Sequence, residues 1–541
     1  MSAKDAPAIF TARVNLVLVP VVVRDKNGIA AGSLQKEDFM LTDKGKPQVI
    51  TRFGVEKTGQ PSIPAAVAID EAAPDKPQPP AEPVPERFVA LLFDDLHLDL
   101  QNLIWAQQAA IKFLDESLEP STRVAIFTTS GVGTLDFTND RETLRETIQR
   151  IRSRTDTGGV ATDCPYVTYF MADALLNRQD ANIAAALTQD TYACAALDPN
   201  QPTSAEAAQS MLQAAASRAL SVGFEESRRT LMVAKDIVRR LSATPGNRTM
   251  VLVSMGFYLT PDHRFDENDL LDKAIRANVT ISALDTRGLY TAGADASVPA
   301  PPSAASAGVG LLAETEEKQA DSDVLAELPA ATGGTFFQND NDLKAGFKQL
   351  AAQPEFIYVL GFSPQNLKLD GAYHALKVTL RNPAGFTIQA RRGYYAPKHL
   401  ADPEEQAREE LQEAVFSRDE IGDIPVNLNM QFFKASAASA KVTVVAKVDV
   451  RNLRYRKAEG RNNDTLTIVS GLFDRNGNWV AGVQKIVDMK LKDETLRNLP
   501  PGGISVRSVI DVAPGSYMVR LVVRDSEGQT MAARNGAVQI P

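Results

Sequence analysis

Only two cysteines, Cys164 and Cys194, occur in 541 residues, and they form no CxxC, so they cannot make a zinc site by themselves. Histidine is almost as scarce: His97, His263, His374 and His399 are the whole supply. No GxSxG elbow, HExxH pair or phosphate loop appears, which removes the common signatures of hydrolases, metalloproteases and nucleotide-binding enzymes. Surplus positive charge is missing too. Lys plus Arg total 58 against 67 for Asp plus Glu, with no basic stripe, so a nucleic-acid partner is excluded. No apolar window reaches the length of a membrane-spanning helix, and no integral membrane segment is expected. The opening "MSAKDAPAIF" lacks the apolar core of a signal peptide, so the protein is either cytosolic or has lost a leader.

What remains is ordinary for a soluble globular protein, with 44% hydrophobic and 23% charged residues. The chain is too long for one core, so two to four domains are expected. Residues 10–55 alternate apolar and polar positions between turn signals at Asp25 to Gly28 and Asp43 to Gly45, and read as N-terminal β-sandwich strands. Pro20 suggests an edge position for the first of them. Residues 56–86, ending "PDKPQPPAEPVPE", read as an extended Pro-rich linker. From 87 to 362 strands alternate with helices, the mark of a parallel sheet covered on both faces. Leu103, Ala106, Ala110, Phe113 and Leu114 share one helical face, and Leu231, Ala234, Val238 and Leu241 another. Asn139 is the expected cap of a further helix, and a helical insertion over 163–240 carries both cysteines.

Beyond it, a β-hairpin over 363–397 is expected to complete the N-terminal sandwich around an inserted α/β domain. A linker helix over 402–418 and a C-terminal Ig-like β-sandwich over 424–541 follow. The turn signature "VVVRDKNG" recurs as "GLFDRNGN" and "VVRDSEGQ", with Asp opening the turn and Gly in the left-handed position. "VVAKVDV" and "AVQI" are the edge strands expected to stay open to another chain.

The stretches "VPVVVRDKNG", "LQKEDFMLTDKGKPQVI", "LVSMGF", "ISALDTRGLY", "ATGGTFF" and "FIYVLGFSP" followed by "ARRGYY" resemble the von Willebrand factor A-related proteins of Acidobacteria, and the resemblance spans nearly the whole chain. It implies a doubly wound, Rossmann-like α/β domain inserted in or flanked by Ig-like β-sandwich modules. It also implies a periplasmic or extracellular location. Export in turn favours a disulfide between Cys164 and Cys194, which spacing alone leaves level with two buried thiols. The family carries no settled activity. Its metal-ion-dependent adhesion site surrounds Mg²⁺ with a first-loop Asp-x-Ser-x-Ser, a second-loop Thr and a third-loop Asp.

Carried onto this chain, Asp94 takes the first Asp position, Leu96 and Leu98 the two Ser positions, Thr162 the second-loop hydroxyl and Met255 the third-loop acid. One usual ligand is clearly kept, so the ordinary site is expected to be lost. A replacement cluster for Mg²⁺, Mn²⁺, Ca²⁺ or Zn²⁺ would draw on Asp94, Asp95, His97, Thr162 and Asp285, with Ser254, Met255 and Arg287 on the same ligand face. The competing reading has Asp94 or Asp95 capping the next helix or pairing with Arg287, and His97 packed in a loop. "DRNGNW" matches a calcium loop only in part and reads as a hairpin turn. The leading expectation is an exported, non-enzymatic protein without a cofactor that binds a protein ligand or itself, the self-contact being able to build filaments. The alternatives are a metal-dependent adhesin using the Asp/His cluster and a hydrolase component.

Overall fold

The structure is a computed structural model that describes residues 17–26, 30–57, 67–68, 87–155, 164–289, 304–351, 356–364, 372–383, 385–396, 403–416, 420–436, 438–458, 460–500 and 502–541. It is a mixed α/β chain with several sheets and a β-rich C-terminal region. Two units divide it. One is continuous, Pro85–Gln353, and the other joins Met1–Val84 to Pro354–Pro541.

The continuous unit is built on a six-stranded sheet. Its order runs Phe336–Phe337, Val279–Asp285, Asn247–Ser254, Arg87–Phe93, Thr122–Thr128, Leu135–Thr138, and all neighbours are parallel except the last pair. Every residue of Arg87–Phe93 is buried, as a central strand covered on both faces requires. Alternate side chains divide between two cores. Phe88, Ala90 and Leu92 meet Leu231, Ala234, Val238 and Leu241, while Val89, Leu91 and Phe93 meet Leu103, Ala106, Ala110, Phe113 and Leu114. Both helical stripes in the sequence therefore face the sheet. The helix Arg141–Arg150 is capped by Asp140, not Asn139, because the Asp140 carboxylate accepts from the Glu142 and Thr143 backbone N–H groups.

Over 164–242 the chain forms helices Tyr169–Leu176, Ala181–Cys194 and Pro202–Ser242. Cys164 and Cys194 are joined by a disulfide, with Cα atoms 5.6 Å apart. The helix Pro202–Ser242 does not end with the insertion. Its first half buries Leu212 beside Phe170, Ile183 and Leu187, and its second half lies on the sheet.

In the other unit, the strands Thr387–Ala390, Val17–Arg24, Phe356–Phe362 and Ile50–Lys57 form one sheet in that order, and Gly393–Tyr395, Tyr373–Leu380, Phe39–Asp43 and Lys46–Gln48 form a second. Phe39 meets Tyr358 at 5.0 Å between ring centroids, and Phe362 meets Tyr394 at 5.9 Å, so aromatic rings bridge the two sheets. Phe356–Phe362 thus belongs here and not to the α/β unit, which shifts the boundary expected at 362 back to 353. Its alternating aromatic residues suit a two-sheet interior as well as a parallel strand, and pattern alone does not separate them. Val17–Arg24 is internal rather than an edge: Pro20 pairs with Val359, and the second neighbour begins only at Val21, so the proline sits where one flank is unpaired.

The C-terminal strands form a sheet ordered Ile421–Gly422, Met531–Ile540, Gly515–Asp525, Arg461–Phe473 and Arg456–Ala458, with Trp479–Leu491 also on Arg461–Phe473. A second sheet runs Ile504–Val512, Ala440–Val448, Val426–Lys434, Val67–Ala68. "VVAKVDV" is therefore no edge. Ala440–Val448 is paired along both flanks. The stretch read as a Pro-rich linker supplies a short strand, Val67–Ala68, parallel to Gln431–Phe432. In "GLFDRNGN" Gly477 is left-handed, and the Asp474 carboxylate accepts from the Asn476 and Asn478 N–H groups, a hairpin turn. In "VVRDSEGQ" the left-handed residue is Gln529 instead of Gly528, because the Asp525 carboxylate gathers the Glu527 and Gly528 N–H groups and delays the reversal by one residue.

Candidate functional site

The strand Arg87–Phe93 ends between its two parallel neighbours, where open α/β sheets present their ligand crevice. Asp94 is the first residue past it and has no solvent exposure. Its N–H donates to the Val253 carbonyl at 3.0 Å, continuing the ladder. The carboxylate is enclosed by protein donors. Oδ2 accepts from Ser254 Oγ at 2.7 Å, Oδ1 lies 3.0 Å from Thr129 Oγ1 and 3.5 Å from Thr230 Oγ1, and His97 Nδ1 approaches both oxygens at 2.9 and 3.0 Å.

Asp95, also buried, turns to the neighbouring strand. Its Oδ1 accepts from the Ser130 N–H at 2.8 Å and its Oδ2 from Ser130 Oγ at 2.5 Å, and Arg154 Nε stands 3.4 Å from the same Oδ2. Thr129 Oγ1 is 3.0 Å from both aspartates, and its single proton serves one of them at a time. The two carboxylates thus tie the ends of three parallel strands together. The next helix is capped by neither. Its cap is Asp99, which accepts from the Asn102 N–H at 2.7 Å.

His97 is 17% exposed and stacks on Phe257 with centroids 5.3 Å apart. Burial pulls its pKa down, but the charge and hydrogen bond of Asp94, helped by Glu226 and Asp321, more than reverse this and raise it. On the helix Ala304–Thr332, burial pushes the carboxyls of Glu317 and Asp321 up; the charge of Asp321 adds to the rise at Glu317, while Arg287 and His97 oppose it at Asp321. The Gly256 backbone, at φ +94°, lies so close to the Asp321 carbonyl that a Cβ would collide with it. An acidic rim therefore borders the His97 imidazole.

Asp285 does not join this group. The Arg287 guanidinium grips its carboxylate in a fork, Nε to Oδ1 at 2.9 Å and Nη2 to Oδ2 at 2.7 Å, and also donates to Ser322 Oγ at 2.5 Å. Arg287 consequently pairs with neither Asp94 nor Asp95. Met255 is partly buried against the apolar cluster under the sheet. Thr162 lies outside the described residues. The structure thus brings together Asp94, Asp95, His97 and Ser254 and separates Asp285 with Arg287 from them.

Thr129, Ser130 and Thr230 were missed in the sequence. The first two had the same signal as Asp94, polar residues at the carboxyl end of a buried strand in "RVAIFTTSG". Thr230 sits on a helix face with no such mark.

A hard cation does not fit. The positions two and four residues beyond Asp94 are Leu96 and Leu98, both buried and without side-chain oxygen, and Met255, just past the neighbouring strand, offers no side-chain oxygen either. The oxygens of Asp94 are already taken by hydroxyl and imidazole groups. Among the described residues no three His, Cys, Asp or Glu side chains are grouped to hold a metal ion, and no helix is long and apolar enough to cross a membrane. A hydrolytic triad would place an imidazole between hydroxyl and carboxylate. Here the carboxylate of Asp94 stands between Ser254 and His97 instead.

No protein-family model matches the chain, and no curated protein matches it. Among solved structures it is similar to an aerotolerance-related membrane protein from Bacteroides fragilis, at 10% identity over 49% of this chain and 98% of that one, with a TM-score of 0.22. It is also similar to the conserved hypothetical protein BatB from Bacteroides thetaiotaomicron, at 13% identity over 49% and 96% of the two chains, with a TM-score of 0.21. A calcium-binding mutant of Bacteroides uniformis beta-glucuronidase 2 is matched at 12% identity over 22% of this chain and 13% of that chain, with a TM-score of 0.14. Likenesses this distant carry no argument about function, and the fold is read from the strand order of the chain itself.

Proposed function

We propose that the chain is an exported, non-enzymatic protein that binds another protein or itself, built on a von Willebrand factor A-like domain whose metal-ion-dependent adhesion site has degenerated. The observation that carries this reading is the enclosure of Asp94. A carboxylate whose oxygens are held by Ser254, Thr129 and His97 keeps no open position for a cation or for a partner's acid. It serves instead as a knot that fixes the loops of the crevice. The von Willebrand factor A assignment draws on the quoted sequence stretches and on a sheet in which five parallel strands end in one antiparallel edge. Export draws on the resemblance and on the disulfide, which persists in oxidising compartments.

The test is a calorimetric titration of chelator-treated protein with Mg²⁺, Mn²⁺, Ca²⁺ and Zn²⁺, repeated on Asp94→Asn. No saturable binding is expected with either protein. Binding that is present in the parent and lost in the variant would replace this reading with metal-dependent adhesion.

A further inference from the structure

The strand Val426–Lys434 pairs with Ala440–Val448 through all 9 of its residues without a register shift. Its outer flank is treated differently. Val67 and Ala68 alone pair there, parallel to Gln431 and Phe432, and the rest of that flank has no strand partner among the described residues. Natural edge strands are usually blunted by proline, a bulge or a central charge. This one has no proline, no bulge, and one cation, Lys434, at its very end. Phe433, next to the observed pair, is 62% exposed. The edge thus keeps the features that accept another strand.

The donor lies between two long stretches of chain. Residues 58–66 precede it and 69–86 follow it, roughly 30 and 60 Å of chain when extended. Tethers of that length let a strand leave its own edge and reach an identical one on another molecule. Both donor and acceptor belong to every copy, so two copies can exchange strands reciprocally in a closed contact.

We infer that the outer edge of Val426–Lys434 is a strand-acceptor site, filled in trans by the Val67–Ala68 segment of a second copy of this chain. The inference rests on the self-association half of the function proposed above and names its surface. Exchange keeps the same backbone bonds and trades a tethered donor for a free one. It therefore gains on the tethered contact as protein concentration approaches the effective concentration of the tether, of millimolar order.

The experiment places cysteines at the paired positions Val67→Cys and Gln431→Cys in the full chain, the native cysteines being already bonded to each other. After mild oxidation, non-reducing electrophoresis is run over a series from micromolar to near-millimolar protein. The expected result is a disulfide-linked dimer whose share grows with concentration. Bonding only within one chain at every concentration, or no bonding at all, overturns the inference. A second variant, Val67→Pro with Ala68→Pro, removes both N–H groups of the donor strand. Scattering should find its self-association lost at an unchanged thermal transition. If the variant associates like the parent, the strand exchange is wrong while self-assembly stands; if the parent never associates, self-assembly fails and the exchange with it.

Discussion

Removing the Asp94 carboxylate leaves the buried Ser254 and Thr129 hydroxyls and the His97 imidazole facing each other. Unmet buried polar groups cost about 1–3 kcal/mol each, and relaxation recovers part of that. Asp94→Ala should therefore lower stability by about 2–4 kcal/mol, read as a shift in denaturant midpoint. Asp94→Asn isolates the charge. The folded pKa of His97 is raised above its ordinary 6.5, so its contribution is whole below that pH and fades as pH rises through the folded value. With Asp94 neutral, burial is opposed only by Glu226 and Asp321, and an NMR titration should find the His97 midpoint lower than in the parent.

A second acid works in the opposite surroundings. Asp464 is buried, its Oδ2 lacks a hydrogen-bond partner, and burial followed by the charge of Asp525 pushes its pKa up to about 6. The folded value exceeds the unfolded one, about 3.9, so this stabilisation is complete at low pH and is lost as pH rises through about 6. Asp464→Asn stays neutral and should gain on the parent by about 1–2 kcal/mol as pH rises from roughly 4 to 6. A difference in melting temperature that stays flat across that window would exclude ionisation as its source. Asp94 and His97 were legible because polar groups at the tip of a buried strand stand out. Thr230 and Asp321 were not, since only tertiary structure brings helix positions more than a hundred residues away to the same crevice.

Periodicity located the elements that lie flat on a sheet and failed where one element serves two neighbours. The stripe of Leu231, Ala234, Val238 and Leu241 is buried in full, but the same helix begins at Pro202 and spends its first turns on the helices of the disulfide loop. An abrupt change of partner along one helix leaves no break in a period of 3.6 residues. The cap of Arg141–Arg150 shows a finer limit: Asn139 and Asp140 are both good caps, and the choice depends on which side-chain oxygen reaches two backbone N–H groups. The disulfide loop also allows a prediction for these elements. Joining positions 30 apart restricts the unfolded chain by about 3–4 kcal/mol in the chain-entropy model. The helices it encloses bury Phe170, Ile183 and Leu187 with Leu212 and Ala313 in a cluster apart from the two cores of the sheet. Cys194→Ser should accordingly speed amide exchange over 169–194 while Arg87–Phe93 and Asn247–Ser254 keep their protection. Equal acceleration in those strands would show that the loop and the sheet unfold as one.

At the scale of the molecule, the chain enters the α/β unit after its first strands and leaves it to complete their sheet. Val17–Arg24 finds its antiparallel neighbours at Phe356–Phe362 and Thr387–Ala390, and Phe39–Asp43 finds one at Tyr373–Leu380. The alternation of residues 10–55 advertises strands, yet nothing in a period of two says which later strand each will meet, and so the pattern places Phe356–Phe362 on the wrong side of the boundary. This connectivity makes the two units unequal as fragments. Residues 85–353 hold every strand of their sheet and both of its cores, so they should unfold cooperatively alone, with dispersed amide resonances. Residues 1–57 hold strands without their long-range neighbours, and a sheet edge bereft of partners does not recover its pairing entropy from local contacts. That fragment should show no stable β signal in circular dichroism until a second fragment carrying 354–396 is added. If residues 1–57 folded alone, the long-range pairing would be an addition to an autonomous module and not its foundation.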